Sequence, residues 1–192
     1  ARSFVDWTAD GHGIAYLSHD GDRYYYMDLE EHELAHILVN SVAEPYADWE
    51  ENVNRQMRGV GRHRFTFSLV PHAGDWREAG LPALSERLRT PVLQTRPRGR
   101  GDLPMAGSLL AVAPETVALS ACYTDGDRVL VRVYDATGDG GRTAITLPFA
   151  VSAAERVDLN GEPMDGPEVH IEERTVALEL RPWEIVTVAV RA

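Results

Sequence analysis

The sequence predicts an all-β protein, a β-sandwich with one short helix. Three observations carry that expectation. Val129, Val131 and Val133 alternate with Leu130, Arg132 and Tyr134, which is period two with β-branched residues. Short runs of this kind recur through the second half, separated by turns every ~8–12 residues, the spacing of a sandwich. A helix-start pattern stands out at Asp75-Trp76-Arg77-Glu78, with Asp at the N-cap and Glu three residues on.

In the first half, residues 13–18, 24–27 and 64–70 read as strands, the last with Phe65, Phe67 and Leu69 on one face and Pro71 as its stop. Residues 44–62 are polar and aperiodic and read as a long loop. Gly80 and Pro82 predict that the helix breaks early or restarts near Ala83. The Arg/Pro/Gly stretch 96–102 is the best linker candidate. Beyond it, residues 117–122 form a strand and 124–127 a turn into the Val129 strand. Gly138-Asp139-Gly140-Gly141 breaks the chain before a strand at 143–147, and Asn160-Gly161 is a turn after Val157-Asp158-Leu159. Residues 169–172 and 175–180 suggest a hairpin with Val176, Leu178 and Leu180 on one face, and the run 185–190 puts Val186, Val188 and Val190 on one side. The expected division is 1–95, a linker at 96–107, and 108–192.

Composition narrows the function classes. The 192 residues are 44% hydrophobic and 26% charged, a globular balance able to bury ~68–70% of the unfolded chain's surface. All 19 basic residues are Arg, against 30 acidic ones, for a net charge of −11. That surface repels phosphate backbones and anionic lipid, so nucleic acid and membrane are not expected partners. No apolar run approaches the ~20 residues that span a bilayer. The lone Cys122 excludes an internal disulfide or a multi-Cys zinc site, and a cytoplasmic setting is expected. The chain opens on Ala1-Arg2-Ser3 without a Met, which points to a piece of a longer chain.

The loudest motif is His32-Glu33-Leu34-Ala35-His36, an H-E-x-x-H pattern. On a helix both imidazoles would share a face to bind zinc, with Glu33 as general base and Glu50 or Glu51 as third ligand. A small zinc metallohydrolase using His32, Glu33 and His36 is therefore one alternative. Glu31 beside the first His and Val42 at the extended motif's third-His position argue against it; the plainer reading is a strand leaving an acidic turn. A free-standing carbohydrate-binding sandwich is a second alternative. Trp49 among Asp48, Glu50 and Glu51 resembles a sugar-binding rim, and Trp7 could belong to such a platform. The acid pairs Asp28/Glu30 and Asp125/Asp127 could form a carboxylate dyad, but turn-flanking acids explain them more simply. Arg100-Gly101-Asp102 reads as linker rather than adhesion tripeptide. His72 can bond backbone in a corner, Gly74 supplies a turn, and Trp76 plugs a core.

The stretch from Gly61 to Trp76 resembles the G-x-H-x-F-x-Y-x-L-x-P-H-x-G-[DE]-W segment in the C-terminal β-rich region of glycoside hydrolase family 38, the α-mannosidases. Leu88-Arg89-Thr90-Pro91-Val92 resembles its L-N-x-P-L run, with Arg89 for Asn; residues 129–135 resemble its strand ending R-x-Y/F-E, with Asp135 for Glu; and residues 181–187 resemble its closing P-x-E-I-x-T strand. The likeness covers about two-thirds of the chain, while residues 1–60 fit loosely and the family usually has a short acidic turn in place of 44–62. It implies that 1–95 is the end of a large, galactose-mutarotase-like supersandwich and 108–192 a small terminal sandwich. It also implies a parent enzyme that hydrolyses α-mannosides with retention, whose carboxylates and zinc ligands lie in an N-terminal catalytic barrel. None of those motifs occurs here. The expectation is a non-catalytic domain that scaffolds the substrate cleft, with no catalytic, cofactor-binding or metal residue of its own, partnered by that barrel and a carbohydrate substrate.

Overall fold

Alternation in the sequence becomes antiparallel pairing throughout. The computed structural model describes residues 4–19, 25–39, 61–96, 99, 101, 104 and 106–192. It divides into an N-terminal unit, Ala1–Val92, and a C-terminal unit, Leu93–Ala192. The predicted loop at 44–62 lies almost wholly outside the described residues, as does most of the linker at 96–102. Among the described residues no helix is long and apolar enough to cross a membrane.

The C-terminal unit is a β-sandwich. Its strands are β6 (Ala111–Ala113), β7 (Val117–Asp125), β8 (Arg128–Asp135), β9 (Gly141–Thr146), β10 (Ala153–Val157), β11 (His170–Glu172), β12 (Thr175–Leu180) and β13 (Ile185–Arg191). One sheet runs β10-β13-β8-β7 and the other β11-β12-β9-β6. Val131 and Val133 of β8 with Val186, Val188 and Val190 of β13 meet Ile145, Val176, Leu178 and Leu180 from the second sheet in one buried cluster. The period-two stripes of the sequence are thus the inner faces. The outer face of β8 is covered as well: Leu130 joins Val157 and Ala189 in a second small cluster. The Asn160-Gly161 turn lies there. Arg128 Nη1 donates to Gly161 O (3.1 Å) and Arg132 Nη2 to Leu159 O (3.0 Å).

The N-terminal unit holds β1 (Phe4–Ala9), β2 (His12–Ser18), β3 (Tyr25–Asp28), β4 (Glu33–His36), β5 (Phe67–Ala73) and the helix α1 (Leu81–Arg89). β2 is the centre of a three-stranded sheet, β1-β2-β5, and β3 pairs with β4 as a separate hairpin. Ala15 and Leu17 of β2 pack with Leu81 of α1, flanked by Phe4, Val70, Trp76, Leu84 and Leu88. Trp76 thus takes the core position expected of it.

Two local expectations are corrected. The strand expected at 64–70 starts at Phe67 and runs through Pro71 and His72 to Ala73. Pro71 does not stop it because β5 is, among the described residues, an edge strand, where a missing N–H on the open side costs no ladder bond. The helix begins at Leu81 rather than near Ala83, since Pro82 occupies the first turn, where its missing N–H is not needed. The Asp75/Glu78 box does form, but it closes a separate turn before the helix. Glu78 N donates to Asp75 Oδ1 (3.0 Å) and Asp75 N to Glu78 Oε2 (2.9 Å).

Candidate functional site

The second face of the N-terminal sheet carries an open hollow of about 790 Å³. Its walls include Trp7 from β1, Ile14 and Tyr16 from β2 and Leu69 from β5, with His32 and Leu34 of the hairpin on the other side. Ile14 and Leu69 are 46% and 58% exposed, so this is an apolar face only partly covered. The hairpin is tied down by its rings. Tyr16 and His36 share a 2.6 Å hydrogen bond between Oη and Nδ1, Tyr25 stacks on His36 at 4.7 Å, and Trp7 meets His32 edge to face at 6.0 Å.

The helix that the zinc alternative requires is not formed. His32 and His36 sit on a turn and a strand, not on a helix: Asp28 Oδ1 accepts the amides of Glu30 and Glu31, the chain reverses, His32 takes φ 57, and Glu33 pairs with Asp28. His36 Nδ1, moreover, is bonded to Tyr16. The third-ligand candidates Glu50 and Glu51, and Trp49 with Asp48, lie outside the described residues.

His72 does not bond a backbone corner as its main contact. On the helix-side face its Nε2 meets Asp6 Oδ1 at 2.8 Å, with side chains only 6% and 8% exposed. The Asp6 hydrogen bond raises the imidazole above its ordinary 6.5. A raised folded-state pKa means that the pair's stabilisation is full below about pH 6.5 and is lost as pH rises through the raised value. The difference in urea midpoint between the wild type and His72→Gln should therefore be largest near pH 5.5 and shrink toward about pH 8.5. Gly13 lies directly across from His72, and a Cβ there would come within 2.4 Å of the imidazole. Gly13→Ala should displace the ring and flatten the same pH profile; an unchanged profile would refute the assignment.

The acid pairs do turn work. Asp28 holds the turn above, and Asp125 and Asp127 pair with Arg128 and Arg191. Backbone amides hold Asp28 (from Glu31 and Glu30), Asp75 (chiefly from Glu78) and Asp158 (chiefly from Glu162) below the ordinary carboxylate value. Burial opposes the charge of Asp135 and Glu184, yet their hydrogen bonds win and both are also lowered. A general acid at neutral pH needs the opposite shift.

Asp135, 2% exposed, organises one end of the C-terminal sandwich. Its Oδ1 accepts from Thr137 N (3.1 Å) and Thr137 Oγ1 (3.2 Å), and its Oδ2 from Gly140 N (3.1 Å) and Trp183 N (2.9 Å). Trp183 is the residue that sequence reasoning passed over. It occupies the third position of the turn Arg181-Pro182-Trp183-Glu184, closed by Glu184 N to Arg181 O at 3.0 Å, with φ 63. Glycine or Asn is the usual occupant of that position, and a bulky side chain held there stores about 1–3 kcal/mol of strain. The signal available in the sequence was a Pro followed by Trp where a turn of this type wants Gly.

Residues 112–188, from β6 to β13, match the family model of the glycosyl hydrolases family 38 C-terminal beta sandwich domain. The resemblance read from the sequence is supported by that match, and the two-sheet architecture observed for this segment agrees with its description. Among curated proteins, the chain is similar to alpha-mannosidase 2C1 of Homo sapiens, 23% identical over 191 residues, which is 97% of this chain and 17% of that protein. Alpha-mannosidase 2C1 of Mus musculus is 24% identical over 130 residues, 66% of this chain and 12% of the relative. The chain thus spans about one-sixth of the human relative's length.

Proposed function

We propose that this chain is the non-catalytic C-terminal β region of a retaining, α-mannosidase-like glycoside hydrolase, where it scaffolds the substrate cleft. The observation that carries the reading is the family match over β6 to β13, on a segment that folds as a two-sheet sandwich. The carboxylates add support, since Asp28, Asp75, Asp135, Asp158 and Glu184 are all held ionised by turn amides or Arg partners rather than poised as acids. In this reading the N-terminal part of a longer chain forms the catalytic barrel and hydrolyses α-mannosides through two carboxylates flanking the scissile bond. Zinc would belong to that barrel, because the helix that would put His32 and His36 on one face with Glu33 beside them is not formed. The partly covered apolar face of the N-terminal sheet supports burial against further protein. The proposed setting is cytoplasmic, where an exposed thiol such as Cys122 stays reduced.

The test is hydrolysis of a chromogenic α-mannoside by the purified chain, alone and with a separately expressed catalytic part. The expected result is no turnover alone and restored or stabilised turnover with the partner. Turnover by this chain alone, abolished by a chelator, would overturn the proposal.

A further inference from the structure

We propose that Trp183 is an aromatic platform on which the C-terminal sandwich stacks a pyranose ring. The backbone reasons come first. A Pro at the second position and φ 63 at the third define a turn that glycine satisfies without strain, yet the largest side chain occupies it. Packing alone does not account for that choice, because Trp183 remains 57% exposed. One side of the indole rests on Gly138: a Cβ at that glycine would fall 2.4 Å from Cε2 and Cζ2 of the ring. A supported ring with so much of its surface in solvent presents its outer side. The mounting is rigid, since the Trp183 amide is anchored to the buried Asp135 and the turn is closed a second time by Arg181 N to Glu184 Oε2 at 2.7 Å.

The surroundings suit a sugar. A pyranose offers a face of C–H groups, which a ring quadrupole attracts, and a rim of hydroxyls that needs donors and acceptors. Arg181, two residues before the indole and with its side chain 81% exposed, keeps donors beyond the Nη2 contact it gives Glu184 Oε1 (3.1 Å). The exposed Asp139, next to the Gly138 on which the ring rests, keeps acceptor capacity beyond the Thr137 hydroxyl bound to its Oδ2 (2.7 Å). The choice of carbohydrate over another ligand that stacks on an indole rests on the glycoside hydrolase reading above; the platform itself rests on the turn.

The experiment uses the full chain labelled with ¹⁵N and follows its four Trp indole N–H signals while methyl α-mannoside and then an α-linked mannobiose are added. The expected result is a saturable shift of the Trp183 signal, with the other three unmoved. Trp183→Phe should keep binding within a few-fold. Trp183→Gly, which suits the turn and should fold, should weaken it about tenfold or more. An unmoved Trp183 signal, or equal binding by a folded Trp183→Gly chain, overturns the platform while leaving the scaffold reading intact. Hydrolysis by the isolated chain overturns the scaffold reading and leaves the platform standing.

Discussion

Replacing Asp135 by alanine is expected to destabilise the C-terminal unit by about 3–5 kcal/mol. The carboxylate is almost wholly buried and satisfies three backbone amides drawn from two separate segments, residues 137–140 and Trp183, while it shares the Thr137 hydroxyl (3.2 Å) with Asp139, which lies nearer to it at 2.7 Å. Each buried donor left without an acceptor costs about 1–3 kcal/mol, and water entering the vacated space recovers part of that. Asp135→Asn separates charge from shape. It keeps the volume but turns an amide NH₂ toward groups that are themselves donors, so it should recover only part of the loss. Urea unfolding of the three proteins at neutral pH checks this, and an alanine variant within about 1 kcal/mol of the wild type would refute it.

The same carboxylate predicts a pH signature. Its folded-state pKa lies below the ordinary 3.8: burial pushes upward, but the amides of Trp183, Thr137 and Gly140 outweigh it. A depressed pKa contributes stability that is full above the unfolded value and lost as pH falls through the folded one. The gap between wild type and Asp135→Asn should accordingly persist from neutral pH down to about pH 4 and close below it. This also gives a physical meaning to one place where the chain departs from the family pattern. Asp stands at the strand end where the resemblance leads one to expect Glu, and its shorter side chain reaches amides in the loop that immediately follows.

How far the fold was legible depends on whether a residue's neighbours are close in sequence. Val176, Leu178 and Leu180 announced a buried face by period alone, as did Val186, Val188 and Val190, because a sheet's inner surface is written into every second residue. Leu130 is different. It lies on the opposite face from Val131 and Val133 yet is 1% exposed, because the turn containing Asn160-Gly161 folds over it from about thirty residues away, a contact no local period encodes. Pro71 looked like a stop because a proline inside a strand is tolerated only at an edge, and which strand is an edge is a tertiary fact. His32 and His36 matched a helical metal motif in five letters, but the Asp28 turn is followed by His32 at φ 57, which reverses the chain, and Glu33–His36 then pair antiparallel with Tyr25–Asp28, a partner strand that no local pattern encodes. His72 could be read as a polar residue in a corner, but its partner Asp6 is 66 residues away. Trp183 was legible in part. The turn could have been inferred from Pro182, and the exposure of the ring could not.

Leu17→Ala is expected to cost about 2–5 kcal/mol, and its consequence should be larger than the figure suggests. Leu17 is fully buried in a cluster whose other fully buried members, among the described residues, are Ala15 and Leu81. The Val131 cluster of the C-terminal sandwich has twelve buried residues, so a truncation there, such as Val188→Ala, is shared among many neighbours. Position matters as much as number. Leu17 lies on the central strand, across from Phe4 on one side and Ser68 on the other, so loosening β2 loosens both pairings. It also removes the surface on which Leu81 and the helix rest. Amide hydrogen exchange should therefore show protection falling across β1, β2 and β5 in the Leu17→Ala protein, while β8 and β13 keep theirs. Leu69→Ala is the control. It removes as large a side chain from the same sheet, but from the face that is 58% exposed, where the cost should be about 0.5 kcal/mol or less. Equal effects at Leu17 and Leu69 would mean that the hollow side of the sheet is as buried as the helix side, and the description of that face as partly open would have to be abandoned.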